Sequence, residues 1–191
     1  MQEQWRVFLA VPLPAELKLK LHHELQLTPS VLESFKKQTD YRDYHITVQF
    51  LGDVASDRIQ EIHKAMNRAA ALMSRFTVGL SGWGTFGRME TPRVLWCDIQ
   101  GQLNALHQLY AKLIAETRLL GFQPEERPYR PHITVARQYQ GTKSFSLAEL
   151  SELGQASDVS YAWEVDRIVL YRTHMGKKPM YEAIAESTIN G

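Results

Sequence analysis

The tetrapeptide His-Ile-Thr-Val occurs twice in this chain, at 45–48 and again at 132–135. The copies lie 87 positions apart, and sliding the sequence by that offset brings other elements into rough register. The strand-like run 5–11 falls on 93–99, and the helical pattern 15–27 falls on 103–119. Each half then reads strand, helix, His-x-Thr strand, helix and further strands. Two repeats are too few for a solenoid. The duplication therefore predicts one pseudo-symmetric bilobal domain, with lobes formed by two related halves of roughly 1–88 and 89–191. A chain of 191 residues is long enough to bury such a core.

Local patterns fill in each half. Pro12 and Pro14 end the first strand, and Leu17, Leu21 and Leu25 mark one stripe of the helix that follows. A polar stretch over 28–42 leads into a strand at 44–51, stopped by Gly52-Asp53. Asp57 is expected to cap the next helix, whose apolar face carries Ile59, Ile62, Met66, Ala69, Ala70 and Met73. Residues 76–81 and 93–99 read as strands joined by a Gly-rich loop over 82–87. The helix at 103–119 turns Leu103, Leu106, Tyr110, Leu113 and Ile114 inward and closes at Gly121. A short helical piece near 146–153 and two strands near 162–171 and 179–187 complete the chain. The turns suit antiparallel pairs better than parallel crossovers, so the class is α+β.

In a strand, residues two apart project from the same face. His45 and Thr47 thus point one way, with Ile46, Val48 and Phe50 on the other face. His132 and Thr134 behave likewise, opposite Ile133 and Val135. If the pseudo-symmetry turns the polar faces toward each other, two imidazoles and two hydroxyls converge on one cleft. That set suits phosphoester cleavage. A neutral imidazole takes a proton from the attacking oxygen, and an imidazolium gives one to the leaving oxygen. An ordinary histidine pKa of about 6.5 keeps both forms accessible near neutrality. The Thr hydroxyls can donate to phosphoryl oxygens and hold the phosphorus in line. No metal or other cofactor is called for, and His45 with His132 lacks a third ligand at metal-binding spacing.

His45-Ile46-Thr47-Val48-Gln49-Phe50-Leu51-Gly52 resembles the first motif of the two-histidine phosphoesterase superfamily, and Arg130-Pro131-His132-Ile133-Thr134-Val135-Ala136-Arg137 resembles the second. Pro92-Arg93-Val94-Leu95-Trp96 and the tail Leu170-Tyr171-Arg172-Thr173, with Gly176 and Tyr181, are similar to its bacterial RNA 2',3'-cyclic phosphodiesterase branch, historically called 2'-5' RNA ligases. The resemblance covers essentially the whole chain. It implies two facing antiparallel sheets flanked by helices around a central cleft. It also implies hydrolysis of a ribose 2',3'-cyclic phosphate at an RNA end or on a small nucleotide, leaving a 2'-phosphomonoester. By that resemblance His45 is the proton donor, His132 the proton acceptor, and Thr47 and Thr134 the phosphate-binding hydroxyls. Sequence symmetry alone does not distinguish acid from base. RNA-end joining by the reverse reaction, or a module that binds nucleotides without cleaving them, would use the same residues.

Arg137 and Arg130 are further candidates for phosphate contact. Strict alternation puts Arg137 on the Ile133/Val135 face, away from His132, and Pro131 leaves the direction of Arg130 open. Arg42 and Lys177-Lys178 could also meet a phosphate, although solvated charge is the plainer reading. Trp83, Phe86 and Tyr44 could stack a nucleobase. His63 and His107 flank apolar helix faces, His22 and His23 read as exposed, and His174 sits in the tail loop beside Arg172.

Composition narrows the classes. With 22 Lys+Arg against 21 Asp+Glu, the net charge of +1 argues against a long electrostatic grip on nucleic acid, but not against a site for one phosphate. Cys97, the single cysteine, excludes an internal disulfide and reads as a buried thiol on the Leu95/Ile99 side. No run approaches the ~20 apolar residues a membrane span needs. The N-terminus has no basic leader. A monomeric cytoplasmic protein is expected.

Overall fold

The computed structural model describes residues 3–150 and 161–190. Its elements are β1 (Gln4–Pro12), α1 (Ala15–Gln26), α2 (Pro29–Glu33), β2 (Phe35–Gln38), β3 (His45–Ala55), α3 (Ile59–Ala71), β4 (Phe76–Gly87), β5 (Pro92–Gly101), α4 (Leu103–Arg118), β6 (His132–Tyr139), β7 (Ala162–Val165), β8 (Arg167–Thr173) and β9 (Tyr181–Thr188). A 3₁₀ turn at Tyr41–Asp43 leads directly into β3. One sheet has the order β3-β1-β8-β9 and the other β2-β6-β5-β4-β7, and every ladder between these strands is antiparallel. The class is α+β, as expected.

The core forms where the predicted apolar stripes fall. Leu17, Leu21 and Leu25 of α1 are buried, as are Ile62, Ala65, Met66, Ala69 and Ala70 of α3. Leu106, Leu109, Leu113 and Ile114 of α4 join them. These side chains share one continuous apolar core with inward residues of both sheets. Cys97 is fully buried in it.

The sequence repeat does not map onto one sheet per half. β1 and β3, from the first half, complete their sheet with β8 and β9 from the second. β5 and β6, from the second half, take β4 and the edge strand β2 from the first. Each half thus gives strands to the other's sheet. Both sheets cross the boundary that the repeat predicts near residue 88.

Several local expectations are corrected. Gly52 does not stop β3: its φ of 78° supports a bulge, with Val7 facing Gly52 and Phe8 facing Phe50, and the strand runs on to Ala55. Asp57 caps nothing, because a 3₁₀ turn at Ser56–Arg58 precedes α3 and no side chain caps the helix. The Gly-rich segment 82–87 is β4 itself. A Cβ on Gly84 would lie 2.2 Å from the Trp96 indole, so the glycine makes room for a cross-strand ring. The predicted strand 162–171 breaks at Asp166 into β7 and β8, one in each sheet. Within 28–42, Val31, Leu32 and Phe35 bury and create α2 and β2. Of the helical piece near 146–153, the described part is a 3₁₀ turn at Leu147–Glu149, and the remainder lies outside the described residues.

Candidate active site

Both His-x-Thr strands carry a bulge at the same repeat position. In the first, Ala10 faces Thr47 and Leu9 faces Gln49, leaving Val48 as the extra residue. In the second, Trp96 faces Thr134 and Leu95 faces Ala136, leaving Val135. A bulge shifts side-chain alternation by one. Val48 and Gln49 are therefore both buried, as are Val135 and Ala136. The next residues, Phe50 and Arg137, turn outward. This corrects the expectation for Arg137. The bulge carries it to the His132 side, where its Nη2 donates to Thr134 Oγ1 at 3.5 Å.

His45 is held at both ring nitrogens. Nδ1 lies 2.6 Å from the Asp43 carbonyl, and Nε2 lies 2.9 Å from Thr47 Oγ1. A carbonyl only accepts, so Nδ1 carries the proton, and Nε2 of the neutral ring accepts from the threonine hydroxyl. Phe8, Tyr181 and Tyr171 wall the ring, with centroids at 4.8, 5.2 and 5.9 Å. This burial pushes the imidazole down to about 4, against the Asp43 carbonyl bond, which favours the proton; the charges of Lys18, His132 and Arg137 add to the depression.

His132 repeats the device. Its Nδ1 donates to the Arg130 carbonyl at 2.7 Å, again two residues upstream. Phe86 meets its ring edge-on at 4.9 Å, and Trp96 lies at 5.8 Å. Arg130 resolves its open direction by laying its guanidinium over Trp96, 4.5 Å from the ring centroid. Burial lowers the His132 pKa; the Arg130 carbonyl bond opposes that shift, whereas the charges of Arg137 and Arg130 reinforce it. Arg137 thus acts on both imidazoles and on Tyr181, from a position between the two motifs. A cavity of about 510 Å³ opens beside Thr47 and His132, walled by Phe50, Phe86, Tyr110 and Tyr129. Arg93, Arg127 and Arg130 also line it.

The sequence profile of the 2'-5' RNA ligase superfamily matches residues 14–177. The chain belongs to that superfamily. It is 39% identical over 184 residues to the RNA 2',3'-cyclic phosphodiesterase of Geobacillus stearothermophilus, covering 96% of this chain and 57% of that protein. The chain therefore spans little more than half the length of that relative. It is 28% identical over 179 residues to the RNA 2',3'-cyclic phosphodiesterase of Bacillus subtilis (strain 168), covering 93% of this chain and 92% of that protein. E. coli LigT complexed with 3'-AMP superposes with a TM-score of 0.80 at 22% identity, over 99% of this chain and 100% of that one, a likeness of fold.

The other residues that the sequence singles out have varied settings. Tyr44 is buried in the core, so it stacks no ligand. Phe86 lines the cavity, whereas Trp83 packs, partly buried, against the core. His63 bonds the Glu186 carbonyl, His107 meets Tyr129 edge-on, and His22 packs on Tyr41. His174 bonds Glu182 at 2.6 Å. Arg42 closes a two-pronged pair on Asp40, both contacts at 2.8 Å, and Lys177 and Lys178 stay exposed. Among the described residues, no group of three His, Cys, Asp or Glu could hold a metal ion, and no helix is long and apolar enough to cross a membrane.

Sequence reasoning missed three residues around His45. Asp43 supplies the carbonyl and buries its own carboxylate. Lys18 reaches from α1 to the Arg42 carbonyl at 2.6 Å and adds positive charge near the ring. Tyr181, noted only as part of a tail pattern, turns out to wall the imidazole. The upstream offset shared with Arg130 could have flagged Asp43; a lone Lys on a helix carries no such signal.

Proposed function

We propose that this chain hydrolyses a terminal ribose 2',3'-cyclic phosphate on RNA or a small nucleotide to a 2'-phosphomonoester. His45 protonates the departing 3'-oxygen through Nε2. His132 takes the proton of the attacking water at its own Nε2. Thr47 and Thr134 donate to the non-bridging oxygens, with Arg137 balancing their charge and Arg130 close by. The observation that carries this reading is the matched pair of imidazoles. Each is tied by Nδ1 to a main-chain carbonyl two residues upstream, which fixes the ring and presents Nε2.

The depressed histidines fit the reading once the substrate's charge is counted. A phosphodiester anion beside the rings favours the imidazolium and raises the pKa that burial has lowered. The proton is thus taken up with the substrate. The net reaction cleaves the P–O3' bond, forms a P–O bond to water, and returns both histidines to their starting states after a proton shift through solvent.

The experiment is hydrolysis of a panel of nucleoside 2',3'-cyclic phosphates and cyclic-phosphate-ended RNAs in EDTA, with the product's phosphate position read by ³¹P NMR. A 2'-phosphate product, lost in both His45→Ala and His132→Ala, is the expected result. Activity close to that of the unmutated protein in either variant overturns the assignment. Loss of activity in EDTA alone overturns metal independence.

A further inference from the structure

Asp43 is the single charged residue that is buried among the described residues, 6% exposed. Both carboxylate oxygens accept from main chain at the start of β9. The Met180 N–H donates to Oδ2 at 2.7 Å and the Tyr181 N–H to Oδ1 at 3.1 Å. No ion pair closes on it among the described residues. Removing a carboxylate from water is costly unless it is well bonded, and here the bonds go to a segment more than a hundred residues away.

The main chain of the same residue performs a second task, since its carbonyl accepts from His45 Nδ1. Tyr181, whose N–H the carboxylate holds, sets its ring edge-on to His45, at an interplanar angle of 83°. One residue therefore fixes the imidazole by a carbonyl and the ring beside it by a carboxylate. The turn that carries it is braced as well. Asp40 accepts from the Arg42 N–H at 3.0 Å, and Lys18 donates to the Arg42 carbonyl.

The repeat has no such clamp on its other side. Position 130 is the counterpart of position 43 under the 87-residue offset. Arg130 offers its carbonyl to His132 in the same way, but its side chain lies on Trp96 and lines the cavity. The groups facing His45 are Lys18 of α1, Asp43 of the turn, Tyr171 of β8, Tyr181 of β9, and His132 and Arg137 of β6. Asp43 is the one acidic residue among them, and it meets the ring through its main-chain carbonyl. At the matched position the acid side carries a buried anion and the base side a cation, and the negative charge that reaches His132 comes instead from Asp98 of β5.

We propose that Asp43 is a positioning residue for proton donation, anchoring the start of β9 so that its own carbonyl and the Tyr181 ring hold His45 in place. The inference rests on the reading of His45 as proton donor. Asp43→Asn tests it, keeping the size while replacing one acceptor oxygen by an amide that faces an N–H. Two readouts are needed: NMR titration of His45, which requires no substrate, and kcat, KM and the pH profile for uridine 2',3'-cyclic phosphate.

In Asp43→Asn, the His45 titration moves to lower pH. kcat falls at least ~10-fold while KM changes less than about threefold. The limb of the kcat profile that reports the protonated histidine follows the His45 titration, and the limb belonging to His132 stays. A purely structural Asp43 would lower the melting temperature and leave the titration and both limbs in place, which overturns the proposal. If the variant does not fold, hydrogen exchange of the unmutated protein decides. Protected Met180 and Tyr181 amides support the clamp, and exchange at open-loop rates overturns it. If the unmutated protein hydrolyses no cyclic phosphate and the His45 titration still moves in Asp43→Asn, the function falls and the positioning stands. If hydrolysis is present and the titration is unmoved, the positioning alone falls.

Discussion

Around His45 the neighbours are aromatic carbon from three strands, a buried carboxylate and a helix lysine. Around His132 they are Phe86, Trp96, two arginines and Asp98 of the neighbouring strand, at the mouth of a cavity. The backbones of the two sites match to the detail of a shared bulge and a shared Nδ1 carbonyl. The side chains that decide charge do not match: Asp43 stands opposite Arg130, and Phe50 opposite Arg137. A two-fold backbone supplies the paired geometry, and divergence at those few positions gives the two imidazoles unlike surroundings. The proposed acid and base require that inequality.

The comparison breaks most visibly at the histidines. His45→Ala and His132→Ala should each lower kcat by about 10²–10⁴-fold in steady-state hydrolysis of a cyclic phosphate, the range a general acid or base contributes. The threonines sharpen it. Thr47→Val is expected to cost about 10–100-fold and Thr134→Val less, because the Thr47 hydroxyl also bonds His45 Nε2 whereas Thr134 is backed by Arg137. Equal losses in kcat/KM would erase the difference between the sites.

Arg137 links the two sides, so Arg137→Met should act on both. Its charge lowers both histidine pKa values, and removing it moves both limbs of the pH profile to higher pH, with KM rising about tenfold. A shift confined to one limb would place the arginine on that side alone. Gly84→Ala presses on the His132 side only. The new methyl meets Trp96, and an overpacking cost of about 1–3 kcal/mol in chemical denaturation is expected, with the His45 titration unmoved.

The smallest effect is on stability against pH. His45 and His132 titrate lower folded than unfolded. The unfolded chain therefore binds more protons as pH falls below about 6.5, and the folded state weakens between there and about 4. The loss falls at pH values above the range in which Asp40, held near 2 by Arg42, contributes. His45→Gln should flatten that slope in urea midpoints more than His132→Gln does.

The twin motif made the site legible, because period-two alternation holds from His45 to Thr47 and from His132 to Thr134. It fails one residue later. The bulges at Val48 and Val135 are set by pairing with β1 and β5, and nothing in the local sequence announces them. Strict alternation therefore puts Arg137 on the wrong face. The β4 error has the same origin, since the glycines at 82–87 look like a loop until the Trp96 ring opposite Gly84 is known. Asp43 was hidden by its setting in a polar stretch, where a charged residue ordinarily meets water; its partners are main-chain groups near the other end of the chain. The helices were the plainest elements, as their apolar stripes are local and their burial follows from them.

The crossing of strands between the two sheets also decides how the chain can come apart. Residues 88–91 join β4 to β5 at the repeat boundary, yet a cut there would free neither sheet, since each would keep strands on both sides of the break. The two pieces are each other's missing edge. Expressed separately, they should behave as complementing fragments that regain a cleft only together.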